Sequence, residues 1–216
     1  ERHGIVVVED AAESLGSLYK GQHTGTFGRF GTLSFNGNKI VTTGGGGAIL
    51  TDDPELARQA KHLTTTAKRP HRWEFVHDQV AWNYRLPNLN AALGCAQMER
   101  LPDMLSRKRV LAAKYRLEFA AIQHLLMIDE PEHCSSNHWL NTVRMTSPSR
   151  SELEALLELA NDAGYGCRPA WALLHRLPMY DRAPRAEMPV AEVLEVSLIN
   201  LPSSARLGSS EDEQGE

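Results

Sequence analysis

The 216 residues are 42% hydrophobic and 23% charged, with a formal net charge of −4. That is ordinary globular composition with enough chain to bury a core, and no basic stripe points to a nucleic-acid or membrane-surface partner. The three cysteines, Cys95, Cys134 and Cys167, form no C-x-x-C pair, so neither a disulfide framework nor a zinc site is supported. Free thiols fit a reducing, cytoplasmic setting, and no apolar run approaches the length of a membrane span.

Residues 5–8, Ile-Val-Val-Val, read as a buried parallel strand that ends on Glu9 and Asp10. Such a strand needs neighbours on both sides, so a substantial amino-terminal portion is expected to precede it. Residues 11–15 read as a turn or short helix, and the stretch holding Gly21, Gly25, Gly28 and Gly31 as tight turns. A short strand at 32–35 leads into the turn Asn36-Gly37-Asn38-Lys39, and four glycines at 44–47 lead into a buried strand at 48–51. A helix is predicted from Pro54, capped by Asp52 or Asp53. Residues 64–84, rich in His, Trp and Arg, read as a long ordered loop whose aromatics suit an interface.

Further helices are predicted at 89–99 and, after a break at Pro102, at 104–123. Beyond them lie a strand at 139–145, a helix at 151–163 capped by Ser149 or Ser151 and stopped by Gly164, and a short helix at 191–194. The texture changes near 122–126, which divides the chain into 1–123 and 124–216. The acidic end from Gly208 onward reads as frayed.

Asp10 stands at the carboxyl end of a predicted strand, where open α/β sheets place ligand-binding residues. Lys39 follows in a Gly/Asn turn, and Ser34, on the strand before it, offers a hydroxyl suited to a phosphate. Taken singly, each has a bland reading: a strand-end Asp makes a turn or cap, and a turn lysine is solvated surface. Pyridoxal-phosphate chemistry asks for the three together. A lysine forms a Schiff base with the aldehyde, an acid keeps the pyridine nitrogen protonated, and hydroxyls and backbone N–H groups hold the phosphate.

The runs Val8-Glu-Asp-Ala-Ala-Glu-Ser-Leu-Gly-Ser17, Gly25-Thr-Phe-Gly28 and Ser34-Phe-Asn-Gly-Asn-Lys39, with the glycines at 44–47, resemble the DegT/DnrJ/EryC1/StrS family of sugar aminotransferases. The similarity continues through Asn83-Tyr-Arg-Leu-Pro-Asn-Leu-Asn-Ala-Ala-Leu-Gly94. It resumes at Arg168-Pro-Ala-Trp171, Leu174-His175, Pro178-Met-Tyr180 and Asn200-Leu-Pro-Ser-Ser204. Within the family, it is strongest to enzymes that aminate nucleotide-linked 4-keto sugars on the way to bacillosamine- or legionaminic-acid-type products.

The resemblance implies an α/β chain, the carboxy-terminal part of a fold-type-I transferase dependent on pyridoxal 5'-phosphate. It would hold the remainder of a mostly parallel-sheet large domain plus a smaller α+β domain. By position, Lys39 matches the Schiff-base lysine and general acid–base, Asp10 the pyridine-nitrogen partner, and Ser34 the phosphate-binding serine. Glu13 falls near the ring hydroxyl. Asn83 matches an asparagine that reaches the phosphate of the neighbouring subunit, which implies a homodimer with shared active sites. Arg85 and His175 fall in stretches near the family's active site and are candidate substrate contacts. The substrates implied are a nucleotide-linked keto sugar, UDP-linked by the pathway resemblance, and an amino donor such as glutamate. Family members carry a further half-domain upstream, so these residues alone are expected to be inactive. A sugar dehydratase of the same fold is the rival enzyme, disfavoured by Lys39; a truncated chain with only an interaction role is the other alternative.

Two patterns imitate other sites. Gly25 to Gly31 is spaced G-x-x-G-x-x-G with no helix after it, unlike a dinucleotide fingerprint. The nine histidines, His23, His62, His71 and His77 among them, show no metal-ligand spacing.

Overall fold

The computed structural model describes residues 2–209. In chain order it forms β1 (Val8–Asp10), β2 (Leu18–Tyr19), β3 (Gln22–His23), β4 (Phe30–Ser34), β5 (Gly47–Leu50), α1 (Pro54–Thr64), α2 (Asn88–Glu99) and α3 (Leu101–Phe119). There follow β6 (Leu125–Met127), β7 (Cys134–Ser135), β8 (Asn141–Met145), α4 (Arg150–Asp162), β9 (Arg168–Pro169), α5 (Pro189–Glu195) and β10 (Leu198–Leu201). These divide into two compact units, Glu1–Leu105 with Glu130–Trp139, and Ser106–Asp129 with Leu140–Glu216. The change of texture at 122–126 falls inside the second unit's first stretch.

In the first unit a sheet of order β1-β4-β5 pairs β1 with β4 in parallel, Asp10 opposite Thr32, and β4 with β5 antiparallel, Ser34 opposite Gly47. Leu15, Val41 and Leu101 form its core with Leu33, Phe35, Ile40 and Leu105 packed around them. Glycine is required where the turn before β4 folds back: a Cβ on Gly31 would lie 1.9 Å from the carbonyl oxygen of Gly25, itself at φ +91°. A second small sheet runs β3-β2-β7.

Two expected strands differ from their reading. Residues 5–8 are not buried: Ile5, Val6, Val7 and Val8 are 57–72% exposed, and the strand begins only at Val8. Among the described residues β1 pairs on one edge alone, with β4, so nothing covers the apolar run. β5 is likewise half exposed, Ile49 at 48%, because it is the opposite edge of the same sheet.

The helices follow their signals more closely. Asp53 caps α1, its carboxylate accepting from the N–H groups of Glu55 and Leu56, with Pro54 in the first turn. Pro102 does not break the chain before α3; it sits in that helix's first turn, where its missing N–H costs nothing. α3 stops at Phe119, short of 123, as the chain turns to deliver Leu125 into β6.

The second unit holds an antiparallel sheet of order β6-β8-β10-β9. Its core is Val143, Met145, Leu153, Cys167 and Ile199, with Leu156, Leu157 and Ala160 of α4 packed against it. Ser149 caps α4, and Gly164 follows the helix at φ +87°. Glu195 is buried and takes Arg150 and Arg176 as ion partners. Gly208 and Ser209 are buried rather than frayed, because the backbone of Arg107 packs directly on Gly208 and the Arg107 guanidinium donates to the Ser209 hydroxyl at 2.6 Å. The rest of the expected frayed end lies outside the described residues.

Candidate active site

The site is built from the loops at the carboxyl ends of the parallel neighbours β1 and β4. Asp10 accepts the N–H of Ala12 at 3.1 Å, closing a tight turn that carries Glu13. Its side chain is otherwise open. Ser34 accepts the N–H of Asn36 at 3.3 Å, and the Lys39 N–H donates to the carbonyl of Asn36 at 3.0 Å, so the serine anchors the turn that bears the lysine. The two loops are joined by one ion pair: Lys39 Nζ donates to Glu13 Oε1 at 2.9 Å. The lysine side chain is only 11% exposed and the glutamate 57%.

On its other side the ammonium lies 4.1 Å from the centre of the Trp139 ring. The Trp139 Nε1–H donates to the carbonyl of Asn38, next to the lysine, at 2.8 Å. Trp139 therefore serves the site, and β8 starts at Asn141 rather than at 139. Asn137 is 3% exposed; its Nδ2 donates to the carbonyls of Glu13 at 2.9 Å and Leu15 at 3.0 Å, and its Oδ1 accepts the N–H of Trp139 at 2.8 Å. Behind the lysine turn, the Thr43 N–H reaches the carbonyl of Phe35 at 3.0 Å, and Asn90 donates to the carbonyl of Thr43 at 2.5 Å.

Glu9, on β1 between Val8 and Asp10, holds the glycine loop. Its carboxylate accepts the N–H groups of Gly25 at 2.8 Å and of Phe27 and Gly28 at 2.6 Å. Burial works to raise its pKa, yet the three backbone donors together outweigh it and hold the carboxyl below the ordinary value.

The structure thus gathers Lys39 and Glu13, with Asp10 and Ser34 at the bases of their loops. It does not gather the remaining sequence candidates. Asn83 is exposed and bridges to Thr65, while Arg85 lines a cavity of about 710 Å³ with Thr32, Ile49, Thr64, Tyr84 and Asn90. Neither touches the Lys39 group by hydrogen bond or ion pair. His175 belongs to the second unit: its Nε2 lies 3.4 Å from Glu192, and its Nδ1 is buried without a hydrogen-bond partner. Sequence reasoning missed Trp139 and Asn137, since no local pattern marks a contact made between residues 101 positions apart.

Among the described residues no helix is long and apolar enough to cross a membrane, and no group of three or more His, Cys, Asp and Glu side chains is placed to hold a metal ion.

An amine, carboxylates and a hydroxyl at the carboxyl ends of neighbouring parallel strands define an α/β ligand site. The profile of the DegT/DnrJ/EryC1/StrS aminotransferase family matches residues 1–214, and the chain belongs to that family. It is 36% identical over 208 residues to the GDP-perosamine synthase of Escherichia coli O157:H7, covering 96% of this chain and 55% of that protein. It is 36% identical over 219 residues to EpsN of Bacillus subtilis (strain 168), a provisionally assigned pyridoxal phosphate-dependent aminotransferase, over 100% of this chain and 55% of the other. Among solved structures, the aminotransferase TlmJ from Streptoalloteichus hindustanus superposes with a TM-score of 0.88 at 28% identity, over 98% of this chain and 56% of that one. The fold is that of the carboxy-terminal part of such a transferase, and the chain spans about half the length of the curated relatives it matches.

Proposed function

We propose that the whole protein transfers an amino group to a nucleotide-linked keto sugar, with pyridoxal 5'-phosphate held at Lys39. The observation that carries this reading is the nearly buried Lys39 ammonium, paired with Glu13 between loops rooted at Asp10 and Ser34. The donor set fits the cofactor: one sheltered amine for its aldehyde, an open carboxylate for its ring nitrogen, a hydroxyl for its phosphate and a second carboxylate beside its ring hydroxyl. When bound, the cofactor supplies an electron sink that makes a proton on the amine-bearing carbon removable. A solved relative from Streptococcus pneumoniae, provisionally assigned as a sugar aminotransferase, is described in its PLP form.

Each residue has a separate task. Lys39 would hold the cofactor through its Nζ and, when that amine is free, would carry a proton to and from the reacting carbon as general base and then acid. Asp10 would hold the ring nitrogen, Glu13 the ring hydroxyl, and Ser34 the phosphate. Asn83 serves the phosphate of a neighbouring copy, in a homodimer whose contact includes the aromatic loop. Trp73, Phe75, Val80 and Tyr84 are 69–87% exposed, an apolar surface that a second copy would cover. Arg85 would contact the sugar nucleotide from the cavity it lines in the first unit, and His175 is a separate candidate contact in the second.

The acceptor we favour is a UDP-linked 4-keto hexose and the donor glutamate. Relatives are named for GDP- and dTDP-linked sugars, so the assay offers all three nucleotides. The 216 residues alone are inactive on this reading, and the full-length protein is the one to assay. It should purify yellow and aminate the keto sugar, and Lys39→Ala should abolish both the reducible attachment of cofactor and the reaction. A colourless full-length protein that takes up no cofactor would sink the reading.

A further inference from the structure

We infer that Trp139 is a positioning residue for Lys39, docking the lysine ammonium whenever it is not covalently engaged. The inference rests on the cofactor reading above for its role in turnover, but its geometry stands without it. The ammonium is gripped from two sides, by the Glu13 carboxylate at 2.9 Å and by the face of Trp139 at 4.1 Å from the ring centre. An ammonium within about 6 Å of an indole centroid is attracted by the ring's negative face. The attraction belongs to the protonated amine, so the cleft holds the freed lysine in its acid form, between taking a proton and returning it.

The ring is itself held in place. Its Nε1–H is committed to the carbonyl of Asn38, which fixes the indole relative to the residue preceding the lysine. Its backbone N–H is committed to Asn137, whose buried side chain also holds the carbonyls of Glu13 and Leu15. β7 pairs with β2 just before Asn137 and ties the segment down. One short stretch thus sets the position of both partners of Lys39. A lysine displaced at each half-reaction needs a place to wait close to the carbon it must serve. The Glu13–Trp139 cleft is that place, and misplacing the amine by an ångström costs rate rather than affinity.

The test uses the cofactor-free full-length protein and needs no turnover. A brief pulse of trinitrobenzenesulfonate modifies accessible lysine amines, and peptide mass spectrometry reads each site. Exposed Lys61 and Lys114 serve as references, and hydrogen exchange across β4, the middle strand of the unit that holds Lys39 and Trp139, reports loss of fold. In Trp139→Leu, labelling of Lys39 should rise roughly fivefold against the references while β4 stays protected from exchange, the size expected for a partly desolvated cation–π contact. Trp139→Phe keeps a ring face and loses only the Nε1–H, so Lys39 should stay within about twofold of wild type. Unchanged labelling in Trp139→Leu would overturn the inference. So would a Trp139→Phe chain in which Lys39 opens while β4 stays protected, and this second variant decides the matter should Trp139→Leu unfold. In the full-length holoenzyme, Trp139→Leu should lower kcat with little change in KM, and Trp139→Phe should restore it. Lys39 protection in a protein that takes up no pyridoxal phosphate would leave the docking in place and sink the cofactor reading instead.

Discussion

Removing the Asn137 side chain strikes the first unit where its site loops are tied together. Asn137→Ala deletes three hydrogen bonds at once, two donated to the carbonyls of Glu13 and Leu15 and one accepted from the Trp139 N–H. The side chain is 3% exposed, so these groups lose their partner in a place water reaches poorly. At a net worth of about 0.5–1.5 kcal/mol per bond, the substitution should cost about 2–4 kcal/mol. Asn137→Asp keeps the shape and the acceptor but turns a carboxylate towards two carbonyl oxygens. It should cost at least as much at neutral pH and recover on acidification. Equilibrium urea unfolding followed by tryptophan fluorescence reads both, with the m-value unchanged if the loss lies in the native state. A loss below about 0.5 kcal/mol at constant m would refute the view that this buried amide ties the loops.

Three further outcomes follow from other parts of the molecule. Leu153, 1% exposed in the core of the second unit, should cost about 2–5 kcal/mol when cut to alanine, measured as a fall in the urea midpoint of that unit. Burial pushes Lys108 down to about 8 from an ordinary 10.5, so above pH 8 the unfolded chain binds the extra proton. Stability should therefore rise from pH 8 to 9 by up to about 1.4 kcal/mol per unit, and the rise should vanish in Lys108→Met. The raised pKa values of Cys167 and Tyr115 oppose the rise, the thiol already within this window and the phenol above it, so the informative quantity is the difference between wild type and Lys108→Met. The exposed apolar run at 5–8 should drive association of the 216-residue chain. Val6→Lys with Val8→Thr should raise the soluble fraction after centrifugation, and an unchanged fraction would clear that run of blame.

The sequence announces what local chemistry decides. Asp53 with Pro54 marks the start of α1, and Ser149 and Gly164 bracket α4, because capping needs only neighbours within a turn. Asp10, Ser34 and Lys39 were readable for a similar reason: each sits at a strand end or in the turn beyond it, and the motifs keep those positions together. Burial was less legible, since it belongs to neighbours rather than to the residue. Residues 5–8 have the composition of an interior strand yet are exposed where β4 is their one described partner. Trp139 and Asn137 were hidden for the same cause. Their partners stand far off in sequence, and the aromatic in the run Asn137-His-Trp139 reads as the start of a strand until β7 is seen to pair with β2. Glu9, read only as a strand end, holds three backbone N–H groups that fold brings to it from residues 25–28.

The central claim is that Lys39 is the point of cofactor attachment. Incubating the protein with pyridoxal phosphate, reducing with borohydride and mapping the modified peptides tests it most directly. The cofactor mass is expected on the peptide containing Lys39 and should be lost in Lys39→Ala. Modification spread over exposed lysines such as Lys61 and Lys114, with Lys39 bare, would contradict it.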